Sequence, residues 1–444
     1  MTSITLKNVR CFVEPKPAPI APLTLLVGEN STGKSTFLAM TRVLADTTGR
    51  FRPPDFNEEP FHLGSFRDIA NYRGARWRAS TFEIGLSVPL PESFAKELGS
   101  GATHVSFVAA FSAGETEPVL TKWRLSIRGM GLTLHRDAAG KLIAVDVEIP
   151  GREVSLSDAD IESFPWAHGE DPLFFIRVFA SFVNAPREVM PPRLGEQLRR
   201  NEIIPLMKAA ETLSDYFPSR PYATAPVRSK PKRTYDPLST EPDPEGSHVA
   251  MVLAKLLGDN TKASKRLQGA LREFGVESGL FRAIQVKKLG RESNAPFQIK
   301  LNFGAQPTFN LVDVGYGVSQ ALPIAVDVIR SPRRSTLLIQ QPEVHLHPRA
   351  QAALGSLLVN MAKAQQKRFL VETHSDYLVD RVRMEIRENE HLTPADVQIL
   401  YFQREDDGRV EIYPLDLDEQ GNIVNAPPGY REFFLREEER FLGV

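Results

Sequence analysis

Apolar positions at the start of the chain fall into two short runs, Ile4 to Val9 and Leu23 to Val27, followed by a glycine-bearing turn and a helical pattern from Lys34 to about Ala45. That order predicts the opening of a βα unit. From about Ser80 to Gly151 the pattern changes to short alternating segments, "STFEIGLSV", "HVSFVAAF", "KWRLSI" and "KLIAVDVEI", separated by turn residues. Period-two alternation of this kind predicts an antiparallel sheet. Helical text runs from about Ser157 to Tyr216, broken by Pro186, Pro191, Pro192 and Pro205, without the sustained heptads of a coiled coil. Residues 217–246 are dense in proline and polar residues and predict an extended connector. Helices near 247–275 and strands near 283–303 follow. The remainder alternates strand "STLLIQ", helix from about Pro348, strand "RFLVET", helix from about Asp376, then strands "VQILYFQR" and "RVEIYPL". Such alternation predicts a parallel sheet flanked by helices.

The turn after the second run reads "VGENSTGKST", residues 27–36, and matches G-x-x-x-x-G-K-[ST] at Gly28, Gly33, Lys34 and Ser35. Glycines let backbone N–H groups converge on phosphate oxygens, and the following helix points its positive dipole end at them. Lys34 adds a point charge for the β- and γ-phosphates, and Ser35 offers a hydroxyl to Mg²⁺. Glu29, Asn30, Ser31 and Thr32 fill the cradle between the glycines, and Thr36 follows it into the helix. ATP with Mg²⁺ is the ligand this chemistry predicts. An ordinary glycine turn is the alternative, and it explains neither the lysine nor the strand and helix on either side.

Composition narrows the partners. The 444 residues are 42% hydrophobic and 25% charged, close to the globular average and enough for one large core or two moderate ones. Lys and Arg number 54 against 55 acids, so the net charge of -1 excludes a surface that coats nucleic acid or anionic membrane as a whole. Cys11 is the single cysteine and cannot form an internal disulfide, and "MTSITLKNVR" has no apolar signal region. A reducing cytoplasm is the expected location, with no membrane partner.

Three further blocks carry chemistry. In "LVDVGYGVSQALPIAVDVIR", residues 311–330, Gly315 and Gly317 bracket Tyr316, and Ser319 and Gln320 open an apolar helical pattern. This predicts a second anion-receptive helix start with a hydroxyl at its tip. Gly317 to Ala321 also imitates the nucleophile elbow of serine hydrolases, with His374 as the base, but the last position is alanine and no Ser, Asp, His order follows. "STLLIQQPEVHLHPRAQ", residues 335–351, is an apolar strand ending in polar residues, where a P-loop protein places the groups that hold Mg²⁺ and polarise water. "RFLVETHSDYLVDR", residues 368–381, ends a strand at Thr373 and His374, and Thr373 and Asp376 have the spacing of a capping box. A structural zinc on Glu343, His345, His347 and His374 is a minor alternative, since histidines at i,i+2 suit one helix face poorly. Capping and packing around Pro348 is the ordinary role for that pair.

In this order and spacing, the four blocks resemble the ABC-type ATPase heads of the SMC, RecF and OLD proteins of the AAA family. They look most like prokaryotic OLD-related ATPases without a Toprim nuclease domain. The resemblance covers most of the chain: "ITLKNVRCF" resembles the first strand, "FNEEPFHLGSFRDIANYRG" follows the P-loop helix, and "GYRE" precedes the acidic end. It implies an α/β P-loop NTPase fold, an ABC-type head built from residues 1–90 and 283–444, with an inserted antiparallel β and helical region over 91–282. It also implies that Gly315, Gly317, Ser319 and Gln320 form the signature motif that caps the γ-phosphate of the opposite subunit. Residues 336–341 become the Walker B strand, His345 to Gln351 the D-loop region, His374 the switch histidine, and Arg10 a nucleotide contact. The implied partners are a second copy or a higher homo-oligomer, joined through the ATP sites, and a protein effector, a nuclease or toxin, in anti-phage defence or DNA maintenance.

One departure bears on hydrolysis. Heads of this type end the Walker B strand with an acid for the Mg²⁺ shell and follow it with a catalytic glutamate, and Gln340 and Gln341 stand at those places here. Glutamine orients water or a metal-bound water but cannot accept its proton. Glu343 serves as the base if the turn at Pro342 brings it round. The catalytic candidates are therefore Glu343, Gln341 and His374, the metal candidates are Ser35 and Gln340, and slow hydrolysis is expected. Two rival functions stay open. One is a module that holds ATP as a structural ligand without turnover. The other is a nucleic-acid binder resembling RecF, through Arg228, Lys230, Lys232 and Arg233 of the linker, whose ordinary role is that of a solvated connector. Asp416 and Asp418 in "LDLDEQG" are expected to be a turn.

Overall fold

The computed structural model describes residues 1–48, 53–72, 74, 77–99, 103–162, 200–236, 240–258, 261–292, 295–305, 307–388, 392–432 and 439–442. Two compact units share the chain. The first comprises Met1–Ile20, Ser31–Arg220 and Gln403–Ile412, and the second Ala21–Asn30, Pro221–Phe402 and Tyr413–Val444.

The first unit is built on an eight-stranded sheet. Its strands are β1 (Thr2–Lys7), β2 (Ala18–Ile20), β4 (Phe82–Pro89), β5 (His104–Ala113), β6 (Pro118–Ile127), β7 (Met130–Arg136), β8 (Leu142–Ile149) and β9 (Arg152–Ser157). They lie in the order β2-β1-β4-β5-β6-β7-β8-β9, with every neighbouring pair antiparallel. Alternation sets the faces, as in β1, which buries Thr2, Ile4 and Leu6. Residue 90, expected to end the N-terminal part of the head, falls between β4 and β5, which are paired neighbours. Helix α1 (Lys34–Thr48) is buried along nearly its whole length, and the Trp123 indole on β6 donates to the Thr47 carbonyl at 3.4 Å. Phe56, Phe66, Phe82 and Phe111 pack stacked or edge-on beside the sheet. The remaining described helices of this unit are α2 (Phe66–Ile69), α3 (Glu92–Leu98), α4 (Asp158–Glu162) and α5 (Arg200–Tyr216). Pro205, expected to interrupt helical text, sits inside α5, where it forfeits one hydrogen bond without ending the helix. Pro186, Pro191 and Pro192 lie outside the described residues.

The second unit holds the α/β core expected of a P-loop ATPase. The six-stranded sheet runs β10 (Tyr222–Thr224), β14 (Thr336–Gln340), β15 (Arg368–Glu372), β3 (Leu23–Gly28), β16 (Val397–Arg404), β17 (Val410–Leu415), and its first four strands lie wholly in this unit. The first five strands are parallel. Parallel strands are covered on both faces, which is why β14 is buried at every position and carries three consecutive apolar residues, Leu337 to Ile339. A smaller antiparallel sheet joins β11 (Ala283–Lys288), β12 (Phe297–Asn302) and β13 (Phe309–Asn310). The helices are α6 (Val249–Gly258), α7 (Lys262–Ser278), α8 (Tyr316–Arg330), α9 (Pro348–Gln365) and α10 (Asp376–Glu388). Apolar residues of α6 to α10 and of both sheets form one continuous core. No described helix is long and apolar enough to cross a membrane.

The linker corrects one expectation. It is mostly irregular, but it is not a solvated connector throughout: Tyr222–Thr224 adds β10 to the edge of the parallel sheet, and Arg228 is only 2% exposed. Asp327 of α8 holds the linker's two ends, accepting from the Tyr222 hydroxyl at 2.9 Å and pairing with His248 Nε2 at 3.0 Å. Asp418 accepts from the backbone of Gln420 and Asn422, so "LDLDEQG" is a turn.

Lys367, fully buried ahead of β15, donates to the carbonyls of Val328 and Ile329 at 2.6 and 3.2 Å and so terminates α8. Burial lowers its pKa to about 8. Between pH 8 and the ordinary value of 10.5 the unfolded chain keeps a proton that the folded chain sheds, so this lysine makes stability rise with pH. Lys367→Met should abolish that increment, at most about 3 kcal/mol, which urea midpoints of both proteins at pH 8 and 10.5 will read.

Candidate functional site

Gly28 ends β3 with φ +135°, and a Cβ there would lie 2.3 Å from the Phe402 carbonyl oxygen, so only glycine fits. Ser31 and Gly33 are also left-handed, at φ 61° and 87°. Residues in that region turn backbone N–H groups outward in the manner of an anion-binding nest. Glu29, Asn30 and Ser31 are exposed. Lys34 opens α1 and is 3% exposed, with its Nζ 3.4 Å from the Thr32 hydroxyl, and Ser35 beside it is exposed. Arg10 donates to the Thr36 hydroxyl at 3.0 Å and to the carbonyls of Leu63 and Asp68 at 2.9 and 3.2 Å, and burial lowers its pKa. Arg10 therefore grips the first turn of α1. A lysine, a hydroxyl and a 15-residue helix opening at the loop fit phosphate oxygens.

In the second unit, β14 delivers Gln340 and Gln341. Gln341 takes φ 40° and its N–H donates to the Glu372 carbonyl at 2.8 Å. The turn through Pro342 then carries Glu343 to the end of β15. Its carboxylate accepts from the Thr373 hydroxyl at 2.8 Å and from the His374 N–H at 2.7 Å. Burial raises the carboxyl pKa above the ordinary value, partly offset by those hydrogen bonds and by the charge of Arg228. The Arg228 guanidinium donates from one nitrogen to the carbonyls of Gln340 and Gln341, at 2.9 and 3.0 Å. Gln340 is buried, and its Oε1 has no hydrogen-bond partner. Such an oxygen suits a metal-bound water. Among the described residues no three His, Cys, Asp or Glu side chains gather as a metal cage. Beside this turn a cleft of ≈ 270 Å³ is lined by Gly28, Glu29, His374, Tyr401 and Tyr430, among others.

The start of α8 differs from the expectation. The helix begins at Tyr316 with Gly315 as its cap, so Ser319 is the fourth residue rather than the tip. Ser319 is 5% exposed and its hydroxyl donates to the Tyr316 carbonyl at 2.7 Å. Gln320 is buried, with an unpartnered Nε2. The exposed tip consists of Val312, Asp313, Gly315 and Tyr316. Gly317 is the contact to the following block, since a Cβ would lie 2.8 Å from the His345 carbonyl oxygen, and the Tyr316 ring meets His345 edge-on at 5.1 Å. His347 caps α9 by accepting from the Arg349 N–H at 3.3 Å, the ordinary role anticipated for the pair, and the zinc set is not assembled. The expected box of Thr373 and Asp376 is replaced: Ser375 accepts from the Leu378 N–H at 3.0 Å and caps α10.

Residues 175–380 match the family model described as "AAA domain, putative AbiEii toxin, Type IV TA system". That stretch contains the α8 start, β14 and His374 and omits the loop 28–36. No curated protein matches the sequence. Solved structures that are similar include an SMC head bound to the C-terminal winged-helix domain of ScpA, at 12% identity and TM-score 0.45, covering 94% of this chain and 98% of that one. A second is an SMC head with an extended coiled coil, bound to the C-terminal domain of ScpA from Pyrococcus furiosus, at 10% identity and TM-score 0.41, covering 99% and 100%. A third is the SMC head domain from Thermotoga maritima, at 12% identity and TM-score 0.37, covering 94% and 98%.

The two glycines at the α8 start should respond differently to a side chain. Gly317→Ala presses a Cβ onto a backbone carbonyl and should cost about 1–3 kcal/mol. Gly315 faces open space with φ -55°, so Gly315→Ser should stay within about 0.5 kcal/mol. Thermal melting of the two variants checks the contrast.

Proposed function

We propose that the protein is an ATP-binding ATPase that works as a nucleotide-dependent switch, with slow hydrolysis. ATP takes its phosphates to the loop Gly28–Ser35 and Lys34. Mg²⁺ would be held by Ser35 and by ligand oxygens, and would supply charge neutralisation at the phosphates. The observation that carries the reading is the placement of Glu343. The chain has neutral glutamines where an acid is usual, yet the left-handed Gln341 turns a carboxylate onto the Thr373–His374 corner. A carboxylate with a raised pKa is a better proton acceptor near neutral pH than an ordinary one. Turnover should therefore fall as pH drops through that raised value, and Glu343→Gln should reduce it about tenfold or more. A phosphate-release assay from pH 5 to 8 reads both effects, with Lys34→Ala as the blank.

Two copies associate, in this proposal, through the exposed start of α8, each tip closing on the other's triphosphate. Gly315, Gly317 and the Tyr316 backbone provide that contact, and Ser319 supports the turn beneath. The support is the exposure of Val312 and Tyr316, two large apolar side chains at a helix N-terminus. Gly315 is exposed and a Cβ there meets nothing within 4 Å, so Gly315→Arg places its side chain at the surface. It should leave nucleotide affinity unchanged and abolish ATP-dependent dimerisation in light scattering, and unaltered dimerisation would show the contact to be elsewhere. The region 91–282 carries the surface for a protein effector, a nuclease or toxin by resemblance to OLD-related systems.

A second reading, a module that binds ATP without turnover, is favoured by Gln340 and Gln341. Retained ATP binding with no phosphate release above the Lys34→Ala blank would establish it. The nucleic-acid reading loses one of its four cations, since Arg228 is buried, while Arg233 stays exposed and pairs with Asp313.

A further inference from the structure

Arg228 has surroundings unlike those of the other linker cations. Its side chain is 2% exposed, and no carboxylate among the described residues pairs with it directly. One nitrogen spans the carbonyls of Gln340 and Gln341, and Nε and Nη1 are buried without a hydrogen-bond partner. Burying a guanidinium in this way is costly, so something must repay it. The two carbonyls it holds flank the peptide at which the chain leaves β14 and turns left-handed. We propose that Arg228 is a positioning residue: by clamping the Gln340 and Gln341 carbonyls it fixes that turn and aims the Glu343 carboxylate at the Thr373–His374 corner.

Geometry and charge point the same way. Strand β10 is parallel to β14 and in register, with Thr224 opposite Ile339, so the linker approaches the strand end at a fixed height. The linker is anchored on both sides of Arg228, by Ala225 N–H on the Pro244 carbonyl and by Ser229 N–H on the Glu245 carbonyl, each at 2.9 Å. Glutamine at 340 and 341 leaves the guanidinium free of a competing salt bridge at the strand end. Among the described residues, Arg228 of the linker is the charged group whose field reaches Glu343, and the titratable side chains beside it along the chain and the β15 end are His345, Glu372 and His374. Arg228 is the cation whose charge favours the ionised carboxylate, and burial lowers its own pKa to about 10, so it stays charged at neutral pH.

The inference rests on the reading of Glu343 as the base, and the test separates the two. Full-length protein labelled with ¹³C-carboxyl glutamate gives the Glu343 titration without nucleotide, its signal assigned by loss in Glu343→Gln. In Arg228→Met the midpoint should rise by about one pH unit, and phosphate release should fall about tenfold with KM for ATP nearly unchanged. Arg228→Lys keeps the charge on a shorter stem that does not bring its ammonium to both carbonyls, so its midpoint should stay near wild type while kcat falls several-fold. A folded Arg228→Met with wild-type midpoint and kcat overturns the proposal. If Arg228→Met does not fold, Arg228→Lys with full kcat overturns it. Glu343→Gln with full turnover would remove Glu343 as the base, and the carboxyl midpoint in Arg228→Met would still decide for or against the clamp.

Discussion

Parallel pairing is the constraint on which the second unit depends. Gln340 lies opposite Glu372 and Glu372 opposite Leu26, so three strands of different sequence position end within two residues of one another at one end of the sheet, beside the longer β16. Strands that run the same way must release their loops on the same side. The start of the loop at Gly28, the corner at Thr373 and His374 and the turn at Gln341 become neighbours for that reason alone. Burial on both faces keeps the strands apolar until that edge, and polar residues appear there abruptly.

At the edge, the chemistry is set by how one carboxylate is reached. A glutamate three residues beyond the strand cannot follow the strand direction and still meet β15. The left-handed Gln341 reverses the chain, and hydrogen bonds from Thr373 and His374 receive the carboxylate. The cost of a non-glycine residue at positive φ is modest, and such conformations persist where the surroundings over-determine them. Here those surroundings include the Glu372 carbonyl, which accepts from Gln341, and the buried Arg228.

The start of α8 shows how packing reassigns a motif. Reading "GYGVSQ" as text put the hydroxyl at the tip, because Ser and Gln precede an apolar run. The helix instead begins three residues earlier, and Val318, Ala321, Leu322 and Ala325 form its buried stripe. Val318 belonged to that period and was the available signal. Once the stripe faces the core, Ser319 and Gln320 are carried inward with it, and the glycines and tyrosine are left outside.

The sequence by itself determined the elements with strong local signals. The glycine–lysine–serine turn, the antiparallel meander and the α/β alternation after residue 304 follow from φ preferences, period-two patterning and apolar runs that act over a few residues. Tertiary structure alone decided matters that depend on distant partners. It joined β1 to β4 in one sheet, drew Tyr222–Thr224 out of proline-rich text onto β14, and buried Arg228 against carbonyls more than a hundred residues away. A lysine- and arginine-rich stretch reads as solvated because charge prefers water, and only a ready-made pair of carbonyls at a strand end could overturn that preference for one of its members.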